Sequence, residues 1–295
     1  MNLRTDHTFQ IGWQHLQTGK PCQDFALSGT IADDLVYAIV SDGCSSGGMT
    51  DIGARLMVLA TKRAILEHLP VPETKAWSDT IDKICATRDL YLASYQAELG
   101  LAPVDLLATC LFAIGTPQFV IGHVTGDGVV IAIHEYDSLV EEFSWNKNTP
   151  YYPAYRLSDQ DEAFKQVHRE TVEPFLDRCT WMHMRGMGGA YEGTLETHTA
   201  EEGLAGKKFA FAHSEGNVHP GRLIAVALMT DGVEQIGGVD TMAAAEAFTA
   251  WKSTEGQFAV RRMNRFLSEA KKIGKGPQDD IAQAVIHLGL RSPNP

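Results

Sequence analysis

Five aspartates stand where this chain changes direction: Asp24, Asp42, Asp127, Asp231 and Asp279, with Asp280 beside the last. Two share a local setting. Leu35 to Val40 is an unbroken apolar run that ends in Ser41-Asp42-Gly43, and Leu223 to Met229 is another that ends in Thr230-Asp231-Gly232. Each reads as a buried strand with a carboxylate at its tip. Asp24 opens Phe25-Ala26-Leu27, Asp127 lies in Thr125-Gly126-Asp127-Gly128, and Asp279 precedes the apolar Ile281 to Leu288. A lone Asp-Gly is ordinary turn chemistry. Several carboxylates in one cleft, however, repel one another and are driven toward protonation unless cations neutralise them. Such a group suits a hard divalent ion with oxygen ligands, Mg²⁺ or Mn²⁺, and a set poor in His and free of Cys disfavours zinc.

The elements that must position these acids follow from periodicity. Thr8 to Val40 alternates apolar and polar residues around Thr18-Gly19-Lys20-Pro21 and Ser28-Gly29, which predicts an antiparallel meander. After Asp42 a small-residue loop leads into a helix from Thr50 or Asp51, its N-cap, to Leu69, with apolar residues at 52, 56, 59 and at 57, 60, 64. Ser78 to Leu99 predicts a second amphipathic helix that packs beside the first. Leu106 to Ile114, Phe119 to Val124 and Val129 to Ile133 read as strands, with Asp127 in a tight hairpin. Glu135 to Gly206 reads as irregular strands and loops. Strands at Lys208 to Ala212 and Leu223 to Met229, helices at Asp240 to Ala250 and Gln257 to Lys272, and a final strand at Ile281 to Leu288 complete the order. Strands, two helices, strands, two helices and a strand predict an α+β protein with its helices outside. No linker divides the chain, so one domain over residues 1–295 is expected, with 135–206 as a flap or insertion within it.

Composition narrows the partners. Lys+Arg 25 against Asp+Glu 37, a formal charge of -12, leaves little from which to build the basic surface that nucleic acid or an anionic membrane would require. Five cysteines, odd in number and without a C-x-x-C, indicate neither a disulfide framework nor a zinc cluster. No run approaches the roughly 18 apolar residues of a membrane span, and the first residues lack a signal-like apolar segment. A cytoplasmic protein with reduced thiols is the expectation.

Taken in order, these motifs resemble the metal-dependent serine/threonine phosphatases of the 2C type. The resemblance rests on Gln23-Asp24, Val40-Ser41-Asp42-Gly43 with its small-residue loop, Thr109 near a strand start, Gly126-Asp127-Gly128, Thr230-Asp231-Gly232 and Asp279-Asp280. It implies a four-layer α/β/β/α sandwich, two antiparallel sheets flanked by helix pairs. It further implies that Asp42 bridges two Mg²⁺ or Mn²⁺ ions, that the Gly43 carbonyl, Asp24, Asp231 and Asp279 complete their shell, and that Asp127 serves a third, weaker ion. Asp42 and Asp231 would then be central to catalysis. Phosphoserine or phosphothreonine on a partner protein would be hydrolysed by a water activated between two ions, in signalling opposite a cognate serine/threonine kinase.

The chain also departs from that family. Members often carry an Arg shortly before the first Asp to grip the substrate phosphate; this interval offers His15 and Lys20. Gln23 stands where Glu is frequent, Gly128 where a small hydroxyl residue is common, Asp280 where Asn is typical, and Glu234 where an extra acid falls one residue later. These departures keep two alternatives open: a phosphohydrolase for a small phosphoester, and a catalytically weak member acting as a regulatory or binding module. Rival signals are weaker. Cys179 and Arg185 have the Cys-x₅-Arg spacing of cysteine-dependent phosphatases, but Trp181, Met182 and Met184 are too bulky for a loop that curls its amides around a phosphate. Tyr151-Tyr152-Pro153-Ala154-Tyr155 reads as a packed loop before it reads as a recognition surface.

Overall fold

Four seven-residue strands of this chain, at Leu35–Ser41 (β3), Gly128–His134 (β6), Leu223–Met229 (β11) and Ile281–His287 (β12), have every residue buried. Antiparallel strands usually alternate because one face meets water; these do not because both faces are covered. A computed structural model describes residues 3–69, 77–145, 149–158, 162, 164, 205–212 and 221–289, together with the backbone of 176–184 and 191–198.

The remaining strands are Arg4–Gln10 (β1), Phe25–Ala32 (β2), Cys110–Gly115 (β4), Phe119–Thr125 (β5), Asp137–Trp145 (β7), Leu176–Met184 (β8), Tyr191–His198 (β9) and Lys207–Ala212 (β10). They form a seven-stranded sheet in the order β1-β12-β11-β6-β7-β8-β9 and a five-stranded sheet in the order β10-β5-β4-β3-β2, antiparallel throughout. Helices run over Trp13–Thr18 (α1), Thr50–His68 (α2), Trp77–Leu99 (α3), Thr241–Thr249 (α4) and Phe258–Lys272 (α5).

Three apolar layers hold the sandwich together. Between the sheets, Val36, Ala38 and Val40 of β3 and Leu111 of β4 meet Val226, Leu228, Ala284 and Ile286. Outside the smaller sheet, Ile39 and Phe112 pack on Met57, Ile65, Ile84 and Leu92 of α2 and α3. Outside the larger sheet, Val129, Ile131 and Met229 pack on Phe248, Phe258 and Met263 of α4 and α5. Each such large side chain contributes about 1.5–3 kcal/mol by leaving water. The four-layer α/β/β/α arrangement expected from the sequence is the one observed.

Several local expectations change. Thr8 to Val40 is no single meander: β1 pairs with β12 in the larger sheet, β2 with β3 in the smaller, and α1 lies between. Gly19, read as a hairpin residue, is the left-handed C-cap of α1 at φ 71°. Asp127 is not in a hairpin either, because β5 and β6 belong to different sheets and the turn carrying Asp127 crosses from one to the other. Gly126 and Gly128 make that crossing at φ 95° and 133°, where a side chain would be strained. Within 135–206, where irregular strands and loops were expected, β7, β8 and β9 are regular and extend the larger sheet. Their regularity was hidden because the β7 run Asp137–Trp145 mixes buried acids with apolar residues. The strand expected from Leu106 begins only at Cys110 (β4), since Pro103–Leu106 forms a 3-10 turn.

The N-terminus of α2 is capped from outside the helix. Its N-cap is Met49, not Thr50 or Asp51, and the Met49 amide donates to Asp105 Oδ1 at 2.8 Å while Asp105 Oδ2 accepts the Ala102 amide at 2.8 Å. The helix is drawn so close to this turn that a Cβ on Gly53 would fall 2.2 Å from the Asp105 carbonyl oxygen. Ala normally stabilises a helix interior over Gly by about 1 kcal/mol. Here the sign should invert: Gly53→Ala is expected to lower the urea midpoint, and a raised midpoint would contradict the close approach.

Candidate metal centre

The acids converge because the loops carrying them are stitched to one another at one end of the sandwich. Asp42 follows β3; its amide donates to Thr109 Oγ1 at 3.0 Å, its carbonyl accepts the Thr109 amide at 2.8 Å, and Ser41 Oγ donates to the Thr109 carbonyl at 2.6 Å. Gly43 donates its amide to the Gln23 carbonyl at 3.2 Å, which brings the segment before β2 alongside the one after β3. A Cβ at Gly43 would stand 2.5 Å from the Thr50 carbonyl oxygen, so the turn accepts only glycine.

Asp24, 1% exposed, accepts a hydrogen bond from Thr230 Oγ1 at 2.5 Å. Thr230 Oγ1 in turn accepts the Ala282 amide at 2.8 Å. One threonine hydroxyl thus ties the acid at the start of β2, in the smaller sheet, to β11 and β12 of the larger one, immediately before Asp231. On the far side of β12's entry, Asp280 is 2% exposed and accepts from the Gly12 amide at 2.7 Å, the Gln23 amide at 2.6 Å and the His15 ring at 2.8 Å. That carboxylate holds the start of α1 and Gln23 together. Asp279 Oδ1 accepts the Asp280 amide at 2.8 Å and lies partly exposed toward the other acids. The Asp127 crossover is held by Trp145, whose Nε1 donates to the Gly126 carbonyl at 3.0 Å.

Charge on these groups is felt from one to the next. Burial raises the Asp24 carboxyl well above its ordinary value, and the charges of Asp280 and Asp231 raise it further, against hydrogen bonds from Asp42 and Thr230. Asp42 is raised by burial, then by Asp24, Asp231 and Asp127. Asp127 is raised by burial and by Asp231. Asp231 is pushed up to about 6 by burial and then by the charge on Asp279. Asp24, Asp42, Asp127, Asp231 and Asp279 are therefore one electrostatic cluster. Among the described residues none of Asp24, Asp42, Asp127 and Asp231 has a Lys or Arg ion pair, and Asp127, 6% exposed, has an Oδ1 without any hydrogen-bond partner. Orphaned oxygens on mutually repelling carboxylates fit a divalent cation.

The two side chains expected at the substrate phosphate are placed differently from each other. Lys20 is exposed and its Nζ donates to the Ser45 carbonyl at 3.0 Å, over the loop that follows Asp42. His15 is buried against Asp280 and Asp279. Arg185 lies outside the described residues, while Cys179 to Met184 belong to strand β8 and form no loop.

The structure also brings residues other than aspartates to this end of the sandwich. Glu234, on the 3-10 turn after Asp231, is pushed up to about 9 by burial and then by Glu142, Asp231 and Asp127. Glu142 shows no motif; its signal is its register, opposite Val129 beside the Asp127 crossover. Tyr152 reaches Cys44 and feels Asp127 and Asp42, and burial drives its phenol strongly upward. Its neighbours Tyr151 and Tyr155 stack with Phe164 at 5.2 Å each, an aromatic cluster that ends against the metal loop. The Tyr-Tyr-Pro signal was visible in the sequence, but its position relative to Asp42 was not.

A sequence profile described as Protein phosphatase 2C matches residues 11–270. The chain belongs to that family of phosphatases. Among solved structures it is similar to the serine/threonine phosphatase Stp1 from Staphylococcus aureus, at 12% identity with a TM-score of 0.57, covering 97% of this chain and 95% of that one. A bacterial serine phosphatase gives 12% identity and a TM-score of 0.57 over 99% and 100% of the two chains. The S. agalactiae serine/threonine phosphatase gives 14% and 0.52 over 97% and 99%. These likenesses are of fold. No curated protein matches the chain by sequence.

The buried acids set a pH dependence for the metal-free protein. Glu234, Asp24, Asp42 and Asp127 all bind a proton more readily folded than unfolded, so the folded state loses stability as pH rises toward their raised values. His123 and His287, lowered by burial to about 3 and about 4, act oppositely but only up to their ordinary value of 6.5. In EDTA the melting temperature is expected to fall between pH 6.5 and 8.5, and saturating Mn²⁺ should flatten the fall. A metal-free melt that holds or rises over that interval contradicts the cluster.

Proposed function

We propose that this phosphatase-family chain hydrolyses phosphoserine or phosphothreonine on a protein substrate with the help of two Mg²⁺ or Mn²⁺ ions. The observation that carries the reading is the convergence of five carboxylates, with no Lys or Arg ion pair among the described residues, at the loop end of the sandwich. Asp42, reached by its neighbours from three directions, is the residue to be shared between ions, with Asp24, Asp231, Asp279 and the Gly43 carbonyl around it. Asp127, with its orphaned Oδ1, would take a weaker third ion, and the raised Glu234 beside it supports that assignment. When bound, paired divalent ions lower the pKa of a water between them and offset charge on the phosphoryl oxygens.

The protein's own part is to fix the acids before the ions arrive. Thr230 and Thr109 hold Asp24 and Asp42 by hydroxyl and amide bonds, so little reorganisation remains for catalysis. Lys20 stands at the rim with its ammonium exposed, where a substrate phosphate would arrive. Its flexible point charge is a weaker phosphate grip than the bidentate fork of an Arg. We place this activity in the cytoplasm, with a phosphoprotein and the kinase that opposes it as partners; the net charge of -12 speaks against a nucleic-acid or anionic-membrane partner.

Mn²⁺-dependent release of phosphate from a phosphothreonine peptide and from an aryl phosphate is the test. Asp42→Asn should lower kcat by at least about 100-fold, since even outer-shell changes at metal sites cost 10–100-fold. Turnover of the aryl ester alone would favour a small phosphoester as substrate. Equal rates for the wild type and Asp42→Asn would sink the assignment.

A further inference from the structure

His15 lies against the candidate metal centre in a way that a structural histidine does not require. It sits on α1, 6% exposed, and its Nδ1 is 2.8 Å from Asp280 Oδ2. Asp280 already accepts two backbone amides, from Gly12 and Gln23, neither of which can accept in return. A carboxylate ringed by donors is the acceptor in its third bond as well, so Nδ1 carries a proton, and Nε2 is the nitrogen whose lone pair the neutral ring can offer a cation. Nε2 makes no hydrogen bond among the described residues and faces Asp279 Oδ1 at 3.9 Å.

That distance is too long for a hydrogen bond. It is within the span of two atoms bound to one cation, because ligands each about 2.0–2.2 Å from a common ion stand at most ~4.2 Å apart. The ligand atoms of His15, Asp279 and Asp280 all fall within 4.8 Å of one another. Asp280 is already committed to three hydrogen bonds, so His15 Nε2 and Asp279 are the freer ligands. The arrangement left is the carboxylate–histidine–metal triad, in which a buried carboxylate sets the tautomer and aims the other ring nitrogen at the ion.

We propose that His15 Nε2 is a nitrogen ligand to the cation held by Asp279, oriented by Asp280, and that the chain for this reason favours imidazole-accepting ions such as Mn²⁺ or Fe²⁺ over Mg²⁺. The proposal rests on the metal-centre reading above and departs from an all-oxygen shell. Imidazole suits first-row transition ions, whereas Mg²⁺ is suited by carboxylate, carbonyl and water. It also explains why a histidine and an aspartate occur together here: Asp280, with its full charge, can polarise the ring more strongly than a neutral amide could.

The experiment uses the full chain loaded with one equivalent of Mn²⁺ and pulsed electron paramagnetic resonance. The expected result is a ¹⁴N coupling that converts to ¹⁵N when histidine alone is ¹⁵N-labelled, and that is lost in His15→Gln. Calorimetry should show Mn²⁺ affinity falling 10- to 100-fold in His15→Gln, with Mg²⁺ affinity moving less than about threefold. The isotope exchange needs no variant, so it tests histidine ligation even where His15→Gln does not fold, and among the described residues His15 is the histidine grouped with Asp279. Mn²⁺ bound with no histidine nitrogen coupling would overturn the proposal and leave the metal centre standing. A coupling that persists undiminished in His15→Gln would assign the nitrogen elsewhere and overturn it too. Failure to bind Mn²⁺ at all would sink both readings.

Discussion

Mutual repulsion among buried carboxylates is the constraint around which this molecule is built. Asp24, Asp42, Asp127 and Asp231 are each pushed toward protonation by burial and by one another, and the described residues bring no Lys or Arg to relieve them. A protein that folds with such a cluster must hold it by other means. Here those means are two sheets with apolar residues on both faces, and a set of hydroxyl and amide bonds that leave the acids few alternative positions.

The stitching determines which residues matter beyond the acids. Thr230 links Asp24 to β12, Thr109 links Asp42 to the entry of β4, and Asp280 links α1 to Gln23 and Asp279. Asp105 does similar work on the outer side by capping α2 and holding the loop that begins at Cys44. These contacts join both sheets and two helices, so the acids are fixed by the sandwich as a whole and by no single element. Electrostatic catalysis depends on such prior placement, since groups that need not move when charge develops lose nothing to reorganisation.

Much of this was legible in the sequence. Strands buried on both faces leave unbroken apolar runs, and their ends left Asp42, Asp231 and Asp279 conspicuous. The helix pairs were legible because α2 and α3 bury a single stripe against the smaller sheet. What failed was local text with more than one structural meaning. Gly19 serves equally well in a hairpin or behind a short helix, and Gly126-Asp127-Gly128 reads as a hairpin wherever the two strands belong to one sheet. Here they do not, and only long-range pairing reveals it. The β7 strand was missed because Asp137, Ser138 and Glu141 are buried polar residues that blur its alternation. Glu142 and Tyr152 carry no signal of their site, since their relation to Asp127 and Asp42 exists only after folding. His15 stood out only as the histidine nearest to Asp24; its bond to a residue 265 positions away could not be read from the chain.

The central claim is that the five aspartates form one cation-binding centre. Anomalous diffraction from crystals equilibrated with millimolar Mn²⁺ tests it most directly. Three peaks are expected: one between Asp42 and Asp24, one between Asp42 and Asp231, and a weaker one beside Asp127. A well-ordered map with these carboxylates in place and no anomalous density among them would contradict it.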